Sequence, residues 1–493
     1  MSDLALGSGP RNPLLYQINT RVLLRRLAAE LGRPATLDDI PDGELDRLSA
    51  QGYDWIYLLG VWRTGVTSRQ VSREDPSWRA AFEATLDDLT DDDICGSCFA
   101  VTGYEVHPDL GGDEALARIR TRMAERGMRL MLDFVPNHMG LDHPWVDQHP
   151  DYFVAGTDDH LERRPRDFIR LGDRVFAHGR DPHFDGWPDT LQLDYAHPAV
   201  QEAMADALIA VADRCDGIRC DMAMLILPEV FEQTWGRRPD PFWPTAVARL
   251  RERHPTVVLM AEVYWDLEWE LQQQGFDFAY DKRLYDRLKD SHAGTVRDHL
   301  RAELDYQHHL ARFLENHDEP RAATTFAPEV HRPASLVTYL TPGLRFLHQG
   351  QREGFRTHIS PHLCRGPAEP TDPGLAGWYD RLLELLREPT VRDGDWALAV
   401  CAPVTAEERA DAFVGWTWRL GGSWWLVVVN YGPESGRCHV HLPFDGLADA
   451  RMGLVDRLTG ERFEHDGDDF AHLGLYVELP AWGAHVLAAE QGP

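Results

Sequence analysis

The chain reads as an α/β protein, a closed (β/α)8 TIM barrel carrying a short insertion after its third strand and a C-terminal antiparallel β-sandwich. Three observations predict this. About eight short apolar runs alternate with helical segments as far as about Arg392. Runs of that kind, buried on both faces with helices between them, imply a parallel sheet, and eight such units favour closure over an open doubly wound sheet. Beyond Arg392 the texture changes to period-two alternation with glycine-containing turns, which predicts antiparallel strands.

The elements follow in order. Leu14 to Ile18 (LLYQI) suits a buried first strand, and helical material begins at Leu23 to Leu31. Trp55 to Leu59 is the second strand, ended by Gly60. Leu116 to Arg126 has helical spacing, Gly127 stops it, and Leu130 to Val135 is the third strand. A helix over Gln201 to Asp213 precedes a strand at Gly217 to Asp221, and a helical region at Ala246 to Arg253 precedes Val257 to Ala261. Phe276 to Tyr280, Phe313 to Leu314 and Leu344 to Leu347 complete the eight, and Trp378 to Leu386 is a helix. The barrel is therefore expected over residues 1–138 and 189–392, an inserted subdomain over 139–188, and the sandwich over 393–493. In the sandwich, strands are expected at Phe413 to Trp418, Trp424 to Asn430, Cys438 to Leu442 and Leu475 to Leu479, with turns at Gly421-Gly422 and Asp445-Gly446. Trp416 and Trp418 should face one way, while Trp424 and Trp425 should split between core and surface.

Composition excludes several classes. Eighty acidic against 50 basic residues give a formal charge of −30, which repels a phosphate backbone and argues against nucleic acid as partner. No run approaches the 18 unbroken apolar residues of a membrane span. Met1 to Asn12 has no apolar signal core, and the 7 irregularly spaced cysteines suit a reduced compartment, so a cytoplasmic location is expected. Cys95-x-x-Cys98 has no second pair nearby and is read as ordinary thiols. No Gly-x-Gly-x-x-Gly or phosphate loop follows any strand. The oligomeric state is left open.

A barrel puts its chemistry at the carboxyl ends of its strands. Strand three runs into Asp133-Phe-Val-Pro-Asn137-His138, strand four reads Gly217-Ile-Arg219-Cys-Asp221, strand five ends in Ala261-Glu262-Val-Tyr264, and strand seven leads to Asn316-His317-Asp318. Asp221, Glu262 and Asp318 would rim one pocket, flanked by Arg219, His138 and His317. A carboxylate nucleophile with a carboxylic acid donor is what glycosidic cleavage needs. Arg219 lies two residues before Asp221 on the same side of a strand, so it would hold that carboxylate ionised. Glu262 lies between apolar neighbours, a setting that raises a carboxyl pKa.

With these residues in order, the chain resembles the α-amylase family of retaining glycoside hydrolases, as an atypical member, over nearly its whole length. Asp133 to His138 is similar to the family's first motif, Gly217 to Ala223 to the second, and Phe313 to Asp318 to the fourth. Glu262 falls at the acid/base position, and Leu191-Gln-Leu-Asp-Tyr195 matches an additional short motif. The resemblance implies Asp221 as nucleophile, Glu262 as acid/base, Asp318 as the residue that distorts the sugar, and His138, Arg219 and His317 as substrate-binding residues. It also implies retention through a covalent glycosyl-enzyme, which the residues alone leave open. Tyr104 occupies the place where relatives stack a tyrosine on the sugar. Trp187 and Tyr264 are candidates for the acceptor side.

The chain also departs from the family. Where many members carry a Lys-His pair after the nucleophile, it has Met224 and Leu225. No metal or other cofactor is expected; calcium would rest on Asn137 alone and is not favoured. Arg352 and Arg365, in an unusual polar stretch after strand eight, are candidates for binding an acidic or phosphorylated sugar. The expected reaction is hydrolysis of small α-glucosides or short α-glucans. A transferase, phosphorylase or isomerase using the same intermediate is the alternative, and a non-catalytic carbohydrate-binding scaffold is the third reading.

Overall fold

Period and composition put each barrel strand where both of its faces can be buried. In this computed structural model, which describes residues 9–407, 409–444 and 451–490, the apolar runs form β1 (Leu14–Asn19), β2 (Trp55–Leu59), β3 (Arg129–Phe134) and β4 (Gly217–Cys220). They continue as β5 (Val258–Ala261), β6 (Phe278–Tyr280), β7 (Leu310–Arg312) and β8 (Leu344–His348). All neighbours are parallel, and the order β1-β8-β7-β6-β5-β4-β3-β2 closes on itself. Every residue of β2, β4, β5 and β8 is buried, between the side-chain layers inside and the helices outside. Strand β7 begins three residues before the expected Phe313, because its third residue is Arg312. That charge hides the strand from a hydrophobic reading, and Asp281 accounts for it by accepting from Arg312 Nε at 3.0 Å.

Three helices matter below. Helix α1 (Thr20–Leu31) follows β1 directly, with Asn19 Oδ1 accepting from Val22 N at 3.2 Å and Gly32 ending it in the left-handed region at φ 67°. Helix α2 (Val66–Glu74) follows the short strand Trp62–Thr64, which pairs with Val101–Val106. Helix α3 (Lys282–Lys289) is capped by Asp281. After β3, the pair His138–Gly140 and Thr190–Gln192 ties together the two ends of a segment that holds the hairpin Phe168–Leu171/Arg174–Ala177. Among the described residues no helix is long and apolar enough to cross a membrane.

The C-terminal strands are β9 (Asp395–Ala402), β10 (Phe413–Leu420), β11 (Ser423–Asn430) and β12 (Gly436–His441), then β13 (Arg451–Asp456), β14 (Arg462–Asp466), β15 (Leu475–Leu479) and β16 (Ala484–Ala489). They form one antiparallel sheet in the order β14-β13-β16-β11-β10-β9-β12-β15. The sheet curls because β9 changes partner: Asp395 to Ala399 pair with β10, and Val400 to Ala402 with β12. Gly421, at φ 59°, supplies the left-handed turn between β10 and β11, while the expected turn at Asp445-Gly446 lies outside the described residues.

The expected split of Trp424 and Trp425 between core and surface does not occur: both are buried, at 8% and 3% exposure. They do face opposite ways. Trp416, Trp418 and Trp425 belong to the core shared with the barrel, and both Trp416 Nε1 and Trp418 Nε1 donate to the Leu340 carbonyl, at 2.7 and 2.8 Å. Trp424 belongs to a second core enclosed by the curl. At the two tryptophan pairs, packing on the barrel from one face and curling over the other covers both faces.

Candidate active site

Arg219 organises the site. It is fully buried on β4, level with Asp133 of β3 and Met260 of β5. Its Nη1 donates to Asp221 Oδ1 at 2.7 Å and to Asp133 Oδ1 at 3.5 Å, and its Nη2 donates to Glu262 Oε2 at 2.7 Å and lies 3.9 Å from Asp318 Oδ2. The expected set Asp221, Glu262 and Asp318 is thus brought together, with Asp133 as a fourth carboxylate. Nε reaches the Tyr280 hydroxyl at 3.3 Å, and the guanidinium carbon lies 5.2 Å from the centre of the Phe99 ring.

One positive charge among four carboxylates leaves an excess of negative charge, and three of the four carboxylates are buried. Burial is the largest influence on Asp221 and pushes its carboxyl well above the ordinary range; Arg219 opposes this, and the charges of Glu262 and Asp133 reinforce it. Asp133 is raised by burial as well, although it accepts from the Tyr57 hydroxyl and from Gly60 N at 3.0 Å. Gly60 is required there. Its φ is 75°, and a Cβ would lie 2.6 Å from that of Cys98.

Glu262 is not in the apolar surroundings expected of it. Its carboxylate accepts from Arg219, from Met222 N at 2.7 Å and from the Tyr264 hydroxyl at 2.8 Å. The Met222 amide reaches it because Met222 sits in the left-handed region at φ 41°, a costly conformation for a residue with a side chain.

The two histidines are neutral. Burial lowers His138 to about 3 and His317 well below its usual value. Gln17 Nε2 meets His317 Nδ1 at 2.8 Å, so Nδ1 accepts and the proton sits on Nε2, a buried atom with no hydrogen-bond partner of its own, 3.1 Å from Asp318 Oδ2. Asp318 keeps 38% of its side chain exposed, which makes it the open side of the cluster. His138 packs on Trp187 with ring centres 5.1 Å apart.

Tyr104 lies beside this group, its ring stacked on Phe134 at 5.6 Å and its hydroxyl held between Val135 O and Val135 N at 3.1 and 3.0 Å. Arg352 and Arg365, expected as anion ligands, are spent elsewhere. Asp380 holds Arg352 at 2.7 Å through both nitrogens, and Asp93 and Asp88 hold Arg365 at 2.7 and 2.9 Å. Asn137 does not present a calcium ligand set: its side-chain amide exchanges bonds with Gln192 at 2.9 and 3.2 Å. Among the described residues no group of three His, Cys, Asp or Glu side chains is arranged to hold a metal.

Sequence reasoning passed over Gln17, Phe99, Tyr280 and the Met222 amide. Gln17 carried a legible signal, a polar residue inside an otherwise apolar buried strand. Phe99 carried none, since only the folded chain sets it over Arg219 and 5.3 Å from His317.

The alpha-amylase catalytic-domain family model matches residues 100–369, more than half of the sequence and the part that holds this cluster. The chain belongs to the α-amylase family. Within that family it is 25% identical over 339 residues to the α-amylase MalA of Haloarcula japonica, covering 67% of this chain and 47% of that protein. It is 26% identical over 358 residues to an α-1,4-glucan:maltose-1-phosphate maltosyltransferase of Burkholderia pseudomallei, covering 72% of this chain and 26% of that one. The chain therefore spans half or less of these curated relatives. In fold it is similar to a maltogenic α-amylase of Thermotoga neapolitana, with a TM-score of 0.69 at 17% identity, covering 97% of this chain and 98% of the other.

Proposed function

We propose that this chain is a retaining α-glycoside hydrolase that cleaves small α-glucosides or short α-glucans. The observation that carries the reading is the shared guanidinium: Arg219 holds Asp221 and Glu262 at 2.7 Å each, so two carboxyl groups are held by one guanidinium at the barrel mouth. An Asp221 carboxylate oxygen attacks the anomeric carbon as the glycosidic C–O bond breaks, and protonated Glu262 gives its proton to the leaving oxygen. Water then attacks the glycosyl ester, giving its proton back to Glu262 and releasing Asp221. Arg219 keeps Asp221 aimed, and the developing positive charge on the sugar ring is stabilised by the excess of carboxylate around it.

His317, with its unspent Nε2 proton, and His138 suit sugar hydroxyls as neutral ligands, and Asp318 at the open side accepts from them. On the acceptor side Tyr264 touches Glu262, and the next residue, Trp265, is 40% exposed with His183 edge-on at 4.9 Å. A wet aromatic face there suits a further sugar unit.

Transfer to an acceptor other than water uses the same residues. The match to a maltosyltransferase over 72% of this chain favours keeping it as the second reading. Incubation with α-disaccharides and maltooligosaccharides, with and without phosphate, followed by product identification, separates the two. Free sugar with retained α configuration supports hydrolysis, a new glycoside or sugar phosphate supports transfer, and inversion overturns both.

A further inference from the structure

Many arginines on this acidic chain pair with carboxylates, as in Arg118–Asp38, Arg126–Asp46 and Arg249–Asp206. Four that gather in one place do not. A cleft of about 640 Å³ lies between α1, α2 and the segment that ends at Cys95, and Arg21, Arg25, Arg69 and Arg73 all line it. Among the described residues none of the four forms an ion pair with a carboxylate. Arg21 is buried, at 9% exposure, and bonds only uncharged or weakly polar atoms: the Gly96 carbonyl at 3.0 Å, Thr64 Oγ1 at 3.2 Å and Cys95 Sγ at 3.4 Å. Arg73 reaches the Asp91 carbonyl at 2.5 Å, while its Nε is buried with no acceptor at all.

Leaving a buried guanidinium donor such as Arg73 Nε without an acceptor is costly, and gathering four like charges around one space adds repulsion. The two carboxylates at the cleft, Asp92 and Asp109, are both exposed, and Asp109 lies 3.7 Å from His107. Burial and the charge of Arg21 lower His107, which keeps this ring from adding a further positive charge. The hydrogen bond from Cys364, helped by Arg21, brings the Cys95 thiol down to about 6 against burial. Even with that thiol ionised, four guanidiniums outnumber the negative groups, in a molecule whose formal charge is −30.

We propose that this cleft binds a phosphate-bearing small molecule, with Arg21, Arg25, Arg69 and Arg73 as its ligands. Guanidinium forks match phosphate oxygens two at a time, and a dianion offsets the repulsion among the four arginines. The volume limits the ligand to a small molecule. The chain's overall charge disfavours a nucleic acid, and the wall formed by Leu24, Ala28, Ala35 and Leu110 offers an apolar surface to an organic body beyond the phosphate. The cleft shares no lining residue with the Arg219 cluster. They are linked through the backbone instead, since Cys95 and Gly96 lead within a few residues to Phe99, which covers Arg219 and His317.

Calorimetric titration of the full chain with inorganic phosphate and, separately, with glucose 6-phosphate tests the site. One equivalent of either is expected to bind, more weakly at high salt, with at least a tenfold loss in the double variant Arg25→Gln/Arg69→Gln. Both residues are at least partly open to solvent, so the fold should survive the change. Arg26→Gln, on the adjoining exposed position of α1 beside Glu30, is expected to bind as the wild type does. Tighter binding of glucose 6-phosphate identifies an ester as the ligand class, and equal binding identifies the free anion. Absence of binding by both probes at millimolar concentration, retention of affinity in the double variant, or an equal loss in Arg26→Gln would overturn the proposal.

Discussion

Two buried arginines stand in opposite electrical settings within one barrel. Arg312, the last residue of β7, has a single carboxylate: Asp281 Oδ2 takes its Nε at 3.0 Å, while His299 Nε2 lies 2.9 Å from the same group and Leu284 N donates to Oδ1 at 3.0 Å. Burial opposes ionisation there, yet His299 and Arg312 together hold Asp281 well below the usual carboxylate range. Arg219 faces four carboxylates, and Asp221 is pushed the other way. The balanced cluster caps α3 and ties strands β6 and β7. The unbalanced one gathers more negative charge than its arginine offsets, which costs stability and is the setting in which carboxyl pKa values shift at functional sites. Burial is common to both, so the count of charges decides which is scaffold and which is site.

The largest expected break in that contrast is Asp221→Asn. Loss of a nucleophile should lower kcat on the order of 10⁴-fold or more, with the circular dichroism spectrum unchanged. Wild-type turnover in this variant would remove Asp221 from the mechanism. Glu262→Gln should cost roughly 10²–10⁴-fold on natural glucosides but far less on aryl glucosides whose leaving group needs no proton. Equal losses on both would deny Glu262 the acid role.

Asp281→Asn tests the scaffold side. Removing one partner of a buried pair should cost about 3–5 kcal/mol, read as a lower Tm, while kcat per folded molecule stays near the wild-type value. A selective loss of kcat would blur the two clusters.

The pH dependence should separate them next. As the proposed nucleophile Asp221 works ionised, and its carboxyl is raised, so the acid limb of kcat/KM should lie above the ordinary carboxylate value of about 4. Asp281 is depressed, so the stability it confers is present above its unfolded pKa and is lost as pH falls through the folded one.

A further pH effect belongs to neutral buried histidines. His143, His331 and His362 are lowered by burial from 6.5 to about 4. The unfolded chain takes up these protons first as pH falls. Stability should therefore be full above 6.5 and decline toward pH 4, each ring costing about 1.4 kcal/mol for every tenfold by which folding weakens its hold on the proton. A Tm that is flat across this range would contradict their burial as neutral rings.

Much of the barrel was legible because burial on both faces of a strand leaves a local mark, a short apolar run between helical segments. The same reading placed β7 late, since Arg312 breaks that mark and only its distant partner Asp281 explains it. In the C-terminal sheet, alternation showed which way Trp424 and Trp425 point but not that both directions are covered, because what covers them is the barrel and the sheet's own curl. At the site, residue type and position picked out Asp221, Glu262, Asp318, Arg219, His138 and His317. Arg352 and Arg365 looked equally available until Asp380, Asp93 and Asp88 proved to hold them.

The sequence by itself determined the fold class and the identity of the polar groups at the strand ends, because hydrophobic period and strand position are properties of contiguous residues. Tertiary structure alone decided which charges meet. Arg219 is shared by groups from β3, β4, β5 and the loop after β7, and the arginine cleft is assembled from α1, α2 and the segment before Cys95. Coulomb energies depend on distances in space, and those distances exist only once the register of the closed barrel is set.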